Sequence, residues 1–308
     1  ILTQRAFLVL FATVGVALGA RGQEEPPETI EVIGTTPLGA RRAADEIAGN
    51  VQTVDAEDLR EQGALDLTDF MRRNLTSVFI NEAQSNPLQP DVQYRGFVGS
   101  PLLGLPQGLA VYQDGVRVNE PFGDTVNWAL IPDSAIDTVY LMPGSNPLFG
   151  LNALGGAISI ETKDGFTHPG SSIEAYAGSF DRLGVTAETG AFVNEHFAYF
   201  LTGSYLEEDG WRAYSPTEAA QFFGDVSWQT ARSTMGLSLT HVDTDLIGNG
   251  AAPEDLLESD RTAIFTRPDR TQNELTLLNF TGTRELSASL ALTGNVYARE
   301  SDSDTHNG

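Results

Sequence analysis

The sequence predicts an α+β domain followed by antiparallel transmembrane β-barrel strands. Three observations lead to this fold class. Residues 43–166 mix short strands with two amphipathic helices, residues from 171 onward alternate apolar and polar side chains, and the later strands are joined by links that are short and long in turn. No stretch after residue 20 is long enough for a membrane-spanning helix, so a membrane location requires a barrel.

The composition narrows the classes of function. The 308 residues are 41% hydrophobic, which is enough to bury a core, and none of them is cysteine. Disulfides, thiolate metal sites and cysteine nucleophiles are therefore excluded. The formal net charge of −24 argues against nucleic acid as a partner, because phosphate contacts need clustered lysine and arginine.

The first residues have the pattern of an export signal. Arg5 precedes the short apolar run 6–20, which ends in the small residues Ala17, Gly19 and Ala20. A positive start, a short apolar core and a small-residue end predict a secretory signal peptide at residues 1–20. An uncleaved anchor or a buried helix is the alternative.

Residues 21–42 are polar and rich in proline, which predicts a flexible tether. Within it lies the segment 28–34, flanked by Pro26, Pro27 and Pro37. Because prolines prevent a helix here, we expect the segment to be extended and able to add as a strand to the sheet edge of another protein.

The α+β domain is predicted to begin with a strand at Val51–Val54, followed by two helices. Asp55 is the expected cap of the first helix, which carries Leu59 near its end. The second helix starts near Asp66 and Thr68 and ends before Asn74. One apolar face of it is formed by Leu65, Leu67, Phe70 and Met71.

Further short strands are predicted to complete a small sheet in this domain. Asp114-Gly115 between two of them is a strong hairpin-turn dipeptide. The predicted strands are Val78–Ile80, Val92–Gly96, Ala110–Gln113, Val116–Val118, Thr138–Met142 and Ala157–Glu161.

From residue 171 the period-2 alternation predicts about seven strands with apolar residues facing outward and polar residues facing inward. One example is Phe222, Val226 and Trp228, which share a face opposite Asp225, Ser227 and Gln229. A second run extends from Leu286 to Val296. Short turns are predicted at 193–195, 230–232 and Arg284-Glu285, with long links at 207–219 and 243–271.

Several motifs resemble those of one family. The run 143–163 contains a turn, Phe149-Gly150, the pair Gly155-Gly156 and a strand that ends in Thr162-Lys163. It is similar to the end of the plug domain of TonB-dependent outer-membrane receptors. Tyr94–Phe97 and Asp114–Val118 resemble other parts of that plug. Where the family usually has an Arg-Gly-Pro turn, this chain has Met142-Pro143-Gly144, so the contacts of that arginine are not carried over.

The resemblance implies a domain order and a location. Residues 43–166 would be the plug domain, and residues 167–308 would be the first roughly seven strands of a barrel of about 22 strands. We therefore expect the native chain to continue for several hundred residues and these strands alone to form an open sheet. The expected location is the outer membrane of a Gram-negative bacterium, in contact with its lipid.

The resemblance also implies partners. The segment 28–34 is similar to a TonB box, which pairs with the TonB energy-transducing complex, and the ligand would be a scarce small molecule such as a metal chelate or cobalamin. No cofactor or resident metal is implied. The TonB-box residues are Glu28, Thr29, Ile30, Glu31, Val32, Ile33 and Gly34.

The ligand is expected at two loops on the outer end of the plug, namely Gly96–Gly108 and Asn119–Trp128. Arg95, next to the first loop, is interpreted as structural more readily than as a ligand contact. The residues predicted to bind ligand are Phe97, Asn119, Glu120, Phe122, Asp124, Asn127 and Trp128.

Other classes of function find less support in the sequence. The four histidines are scattered without metal-ligand spacing, and no catalytic arrangement of residues is recognisable, so no enzyme is predicted. A passive porin-like or structural outer-membrane barrel would lack both the plug and the docking segment. A secreted β-rich enzyme is the third alternative.

Overall fold

The computed structural model describes residues 32–34, 41–43, 49–145, 147–287 and 290–308. The predicted signal peptide, Glu28–Glu31 and most of the tether lie outside the described residues. In the described part, no helix has the length and apolar character needed to cross a membrane. The first two strands, β1 (Val32–Gly34) and β2 (Arg41–Ala43), pair antiparallel with each other.

A five-stranded sheet forms the centre of the α+β domain. From edge to edge its strands are β3 (Gln52–Asp55), β9 (Ile136–Pro143), β10 (Gly156–Thr162), β7 (Leu109–Gln113) and β8 (Val116–Arg117). Strands β7 and β10 are parallel, with Leu109 opposite Gly156. All five residues of β7 are buried, which explains why its apolar residues follow one another without alternation.

The domain also contains two short helices, and each begins directly after an aspartate that caps it. In α1 (Ala56–Glu61) the Asp58 backbone amide donates to the Asp55 carboxylate at 2.9 Å. In α2 (Leu67–Asn74) the Asp69 amide donates to Asp66 at 2.8 Å. Each carboxylate satisfies an amide that has no partner within the helix. The prediction that Asp55 caps the first helix is confirmed, and Asp66, which was expected near the start of the second, is its cap.

The prediction of a single small sheet in this domain was wrong. Strands β4 (Val78–Asn81), β5 (Asp91–Tyr94) and β6 (Phe97–Gly99) form a separate three-stranded sheet. Positive φ angles at Arg95 and Gly96 create a tight turn that folds β6 back onto β5, so these strands satisfy their hydrogen bonds among themselves. The sequence predicts a loop at Gly96–Gly108 that includes β6, because a strand of three residues is too short to show alternation.

The rest of the chain is a seven-stranded antiparallel sheet, called the wall, in which each strand pairs with the next. The wall is open, with its first and last strands as free edges. Its strands are β11 (Gly170–Ala177), β12 (Leu183–Phe192), β13 (Phe197–Glu208), β14 (Thr217–Thr230), β15 (Ser233–Ile247), β16 (Arg270–Ser287) and β17 (Leu290–His306).

The two faces of the wall differ in polarity in the predicted way. Large apolar residues cover the outer face, where Val296 is 74% exposed. The inner face buries polar residues against the α+β domain, including Thr202, Asp225, Thr240, Asn273 and Asn279. A water-soluble sheet buries its apolar face and exposes its polar one, so this reversed pattern is typical of a barrel wall in lipid.

The links between wall strands alternate in length. Residues 209–216 and 248–269 form the long links, and α3 (Glu254–Ser259) lies in the second. The short turns at 193–196 and 231–232 agree with prediction. The turn predicted at Arg284-Glu285 was wrong, because both residues are paired in β16, opposite Leu292 and Ala291. The alternation read as one strand from Leu286 to Val296 therefore spans the end of β16 and the start of β17.

The α+β domain has hydrophobic clusters of its own. The largest cluster joins both sheets and α2, and it includes Phe70, Met71, Tyr94 and Ile158. A second cluster surrounds Phe149 and also contains only residues of this domain. Three smaller clusters combine residues of the domain with residues of the wall. Most of the apolar packing of the domain is therefore independent of the wall.

The pair Gly155-Gly156 is a steric requirement. A Cβ at Gly155 would lie 2.4 Å from Phe97 Cβ, and one at Gly156 would lie 2.4 Å from the carbonyl oxygen of Met142. Both contacts are shorter than packed atoms allow. The motif thus lets β10 approach β9 and lets the Phe97 ring close over the start of β10.

We predict that Gly156→Ala destabilises the α+β domain by about 1–3 kcal/mol, because the Met142 carbonyl is backbone and cannot move without straining β9. Hydrogen exchange of the β9 and β10 amides measures the change. Gly294→Ala in β17 is the control, since no atom lies within 4 Å of a Cβ built there. Equal protection in wild type and Gly156→Ala would contradict this account of the glycine pair.

Candidate functional site

The α+β domain lies against the inner face of the wall, and side-chain hydrogen bonds and ion pairs join the two. Four neutral hydrogen bonds and two ion pairs are representative. They are Asn86 to Thr217 (2.8 Å), Thr202 to Ser134 (2.9 Å), Gln221 to the Ala129 carbonyl (2.9 Å), Asn279 to the Asp114 carbonyl (3.1 Å), Lys163 with Glu188 (3.0 Å) and Arg299 with Glu120 (2.6 Å).

The strand directions show which end of the domain faces the long links. Strands β7 and β10 run parallel, and β10 ends at Thr162. The next residue, Lys163, bonds to Glu188 in the half of β12 that leads into the short turn at 193–196. The opposite end of the domain, made of residues 95–108, 119–127 and 147–156, therefore lies on the side of the long links. We call this end the tip.

Six of the seven residues predicted to bind ligand belong to the tip, and Trp128 directly follows its loop 119–127, but several of the seven have structural roles. Asn119 is buried, accepts a hydrogen bond from the Val111 amide at 2.8 Å and donates to the Leu109 carbonyl at 3.0 Å. Trp128 is also buried, and its indole Nε1 donates to the Gly99 carbonyl at 3.1 Å. Both side chains hold the loop 119–127 to the strands beside it.

The two predicted acidic residues are each engaged in an ion pair. Glu120 accepts two hydrogen bonds from Arg299 of the wall, at 2.6 and 3.0 Å. Asp124 pairs with Arg117 at 2.7 Å, and the same guanidinium donates to the Leu151 carbonyl at 2.8 Å. These ion pairs fix the tip loops to each other and to the wall.

The remaining predicted residues are more accessible. Phe122 is 79% exposed at the end of its loop, and Phe97 is partly exposed with one side of its ring against Gly108 and Gly155. Asn127 is half-buried. Of the seven residues, Phe122 is the one that projects furthest into solvent.

The docking segment is described in part. Val32, Ile33 and Gly34 form β1 and lie opposite Ala43, Arg42 and Arg41 of β2, while Glu28–Glu31 lie outside the described residues. In the part of the chain that the structure describes, no group of three or more His, Cys, Asp or Glu side chains is arranged to hold a metal ion.

Comparison with known proteins identifies the α+β domain. Residues 43–157 match the family model described as TonB-dependent Receptor Plug Domain. Over these residues the chain is similar to the plug domain of TonB-dependent receptors. The α+β domain is called the plug from here on.

The chain is also similar to a curated relative in sequence and to solved structures in fold. The chain is similar to the vitamin B12 transporter BtuB of Vibrio cholerae, with 26% identity over 174 residues, which are 56% of this chain and 27% of the transporter. The fold resembles BauA, the ferric preacinetobactin receptor from Acinetobacter baumannii, with a TM-score of 0.72 at 14% identity, covering 90% of this chain and 41% of BauA.

A second structural neighbour is the ferric-catecholate import receptor Fiu from E. coli K12, with a TM-score of 0.70 at 15% identity over 88% of this chain and 41% of Fiu. At such identities the likeness establishes the fold alone. The chain spans less than half the length of each of these proteins.

Two of the motifs read from the sequence meet at the far end of the plug from the tip. The carboxylate of Asp114, at the hairpin turn after β7, accepts hydrogen bonds from the Thr162 hydroxyl at 2.7 Å and from its amide at 3.0 Å. Lys163, the only lysine of the 308 residues, continues from there to Glu188 of the wall. The Thr-Lys ending thus connects the hairpin, the last plug strand and the wall.

Burial raises the pKa of the Asp114 carboxyl from 3.8 to about 6, although its bonds to Thr162 act in the opposite direction. The folded plug therefore binds this proton more tightly than the unfolded chain does. The stability contributed by the group is fully present below about pH 4 and is lost as the pH rises toward about 6.

We predict that Asp114→Asn removes this pH dependence, since asparagine keeps the shape and the bonding capacity without titrating. The wild-type plug should lose at most about 3 kcal/mol across the window, and less because Asp114 is partly exposed. Hydrogen exchange of β7 and β10 amides, corrected for intrinsic rates at each pH, measures it. Asp58→Asn in α1 is the exposed control, and an unchanged pH slope in Asp114→Asn would assign the effect to another group.

The sequence did not reveal the wall residues that hold the plug. Arg299, Thr217, Thr202 and Asn279 look like ordinary inward-facing strand residues. Their role depends on partners far away in sequence, such as Glu120, 179 positions before Arg299. The only available signal was the inward position of an arginine in β17, where a free charge facing the lumen calls for a partner.

Proposed function

We propose that this chain serves in a TonB-dependent outer-membrane receptor that takes up a scarce solute by energised remodelling of the plug. The proposed class of solute is taken from proteins similar to this chain. BtuB is a vitamin B12 transporter, and BauA is a ferric preacinetobactin receptor. The corresponding proposal here is a metal chelate or a cobalamin-type molecule. The proposed location is the outer membrane of a Gram-negative bacterium.

The observation that carries this proposal is the reversed polarity of the wall together with the plug on its polar face. The apolar outer face suits lipid, and the inner face carries the hydrogen bonds and ion pairs to the plug. A neutral hydrogen bond contributes about 0.5–1.5 kcal/mol net. Polar contacts of this kind can exchange with water when the plug moves, whereas its separate apolar clusters do not depend on them.

The proposed energy input enters through the segment Glu28–Gly34. Its last three residues already adopt a strand, which supports docking by strand addition to TonB. Pairing would use main-chain hydrogen bonds, and a pull powered by the proton gradient of the inner membrane would reach the plug through the following residues. At the other end, the predicted ligand residues of the tip remain the proposed contact with the solute.

We predict that Ile30→Pro abolishes energised uptake and leaves ligand binding unchanged, because proline removes a backbone donor from the docking strand and restricts its φ angle. Ile30→Ala is the matched control and should retain most of the uptake. Accumulation of labelled solute by energised cells measures transport, and binding to unenergised outer membranes measures the first step. Normal uptake by Ile30→Pro would refute the docking role.

We also predict that a covalent bond between plug and wall blocks transport. Ser134 and Thr202 place their hydroxyl oxygens 2.9 Å apart, so the Ser134→Cys/Thr202→Cys pair is near enough for a disulfide. None of the 308 residues is cysteine, so these thiols have no competing partner within this sequence. Uptake should be lost when the pair is oxidised and should return on reduction, while ligand binding persists in both states.

The control for the disulfide lies within the wall. Ser171 and Thr189, on the neighbouring strands β11 and β12, place their hydroxyl oxygens 2.8 Å apart, so Ser171→Cys/Thr189→Cys forms a bond that does not reach the plug. Uptake should be independent of its oxidation state. Transport that continues with the Ser134–Thr202 positions bonded would show that the plug does not move at this contact.

A further inference from the structure

The tip of the plug presents almost no charge of its own. Residues 96–108 and 143–156 contain no ionisable side chain. The ionisable residues of the loop between β8 and Trp128 are Glu120 and Asp124, and both are held in ion pairs with Arg299 and Arg117. Of the described residues at the tip, Arg95 is the exposed cation, and its guanidinium lies 5.2 Å from the centre of the Tyr94 ring.

The polar side chains of the first tip loop, residues 96–108, form hydrogen bonds within the plug. The Gln107 side chain accepts from the Ser100 amide at 2.9 Å and donates to the Ser100 carbonyl at 3.2 Å, while the Ser100 hydroxyl bonds to Asp91. The same Ser100 carbonyl accepts from the Val126 amide at 2.9 Å, which connects the two loops. The loop is therefore held in one conformation by its own hydrogen bonds, with few left for a ligand.

Apolar side chains form much of the solvent-exposed surface of the tip. Leu103 is 60% exposed, and its Cδ2 lies 2.5 Å from where a Cβ would be at Gly123, so it packs closely on the loop that carries Phe122. Leu105 and Phe97 are also exposed. We call Phe97, Leu103, Leu105 and Phe122 the tip surface. An exposed apolar surface on loops held by internal hydrogen bonds is a candidate binding site.

We propose that the tip surface binds a solute of low net charge through an apolar face, such as a chelate whose ligand charges are cancelled by its metal. The inference rests on the proposed uptake function and names its substrate class. A polyanionic chelate needs several free cations for recognition, and the tip offers Arg95 alone, since Arg117 and Arg299 are already paired. An uncharged solute needs none.

The test is equilibrium binding to the purified full-length receptor in detergent, without TonB or an energy source. The probes are two uncharged molecules, a ferric trihydroxamate and cyanocobalamin, and two anionic ones, ferric citrate and a trianionic ferric tricatecholate. We expect at least one uncharged probe to bind at least tenfold more tightly than either anionic probe. Tighter binding of an anionic probe, or no binding of either uncharged probe, overturns the proposal.

Variants locate the contact. Phe122→Ala should weaken binding of the uncharged probe at least tenfold, and Phe122→Asp should weaken it further. Phe280→Ala makes the same truncation on the outer face of the wall and should have no effect. Unchanged binding in both Phe122 variants would mean that another segment covers the tip surface, and it would overturn the assignment of the site.

The two proposals fail separately. If the purified receptor binds an uncharged probe at the tip but energised cells do not accumulate it, the uptake function fails while the ligand class stands. If cells accumulate an anionic chelate in a TonB-dependent manner and the receptor binds it more tightly, the ligand class fails while the uptake function stands.

Discussion

The alternation of side chains across β12–β17 is the constraint on which the rest of the structure depends. Exposed apolar residues lie on the outer face, and the inner face carries many hydroxyls and amides and a few charges beside small apolar clusters. A domain lying on that face must match it with polar groups, because each buried polar atom without a partner is costly. The plug does so with hydrogen bonds such as those to Thr202 and Asn279, and only small apolar clusters are shared.

This division separates the forces that fold the plug from the forces that hold it in place. Its largest apolar cluster and the close packing at Gly155 and Gly156 involve the plug alone. Each hydrogen bond between plug and wall contributes little to stability, and its donor and acceptor bond to water when it is broken. The apolar packing of the plug core therefore does not depend on its hydrogen bonds and ion pairs to the wall.

Local signals in the sequence predicted local structure well. Asp55 and Asp66 stand directly before their helices, Asp114-Gly115 has the residue types that a tight hairpin turn demands, and the wall alternation needs no distant partner to be recognised. The failures also have physical causes. Strand β6 is three residues long, and it pairs with β5 through a turn at Arg95-Gly96 in which both residues have positive φ angles. The misplaced turn at Arg284-Glu285 reflects the polar character of a strand end that still pairs.

The limit of prediction from local sequence is clearest at the candidate site. The family resemblance selects the loops, and residue type within them then indicates Asn119, Glu120, Asp124 and Trp128 as ligand contacts. Whether such a group is free depends on partners from other elements, such as Leu109, Gly99 and Arg299. Once these bonds are subtracted, what remains at the tip is apolar, with Phe122 at its end.

The charge of the chain points in the same direction as the chemistry of the tip. These 308 residues carry a formal net charge of −24, while the tip loops are nearly free of ionisable groups. The net charge would repel a polyanionic solute that approaches the tip, and the tip loops offer it one exposed guanidinium, that of Arg95. A solute without net charge is not repelled by the acidic chain, and it needs no cation at the tip for binding. Its affinity would come from apolar area removed from water at a surface that is already held in shape.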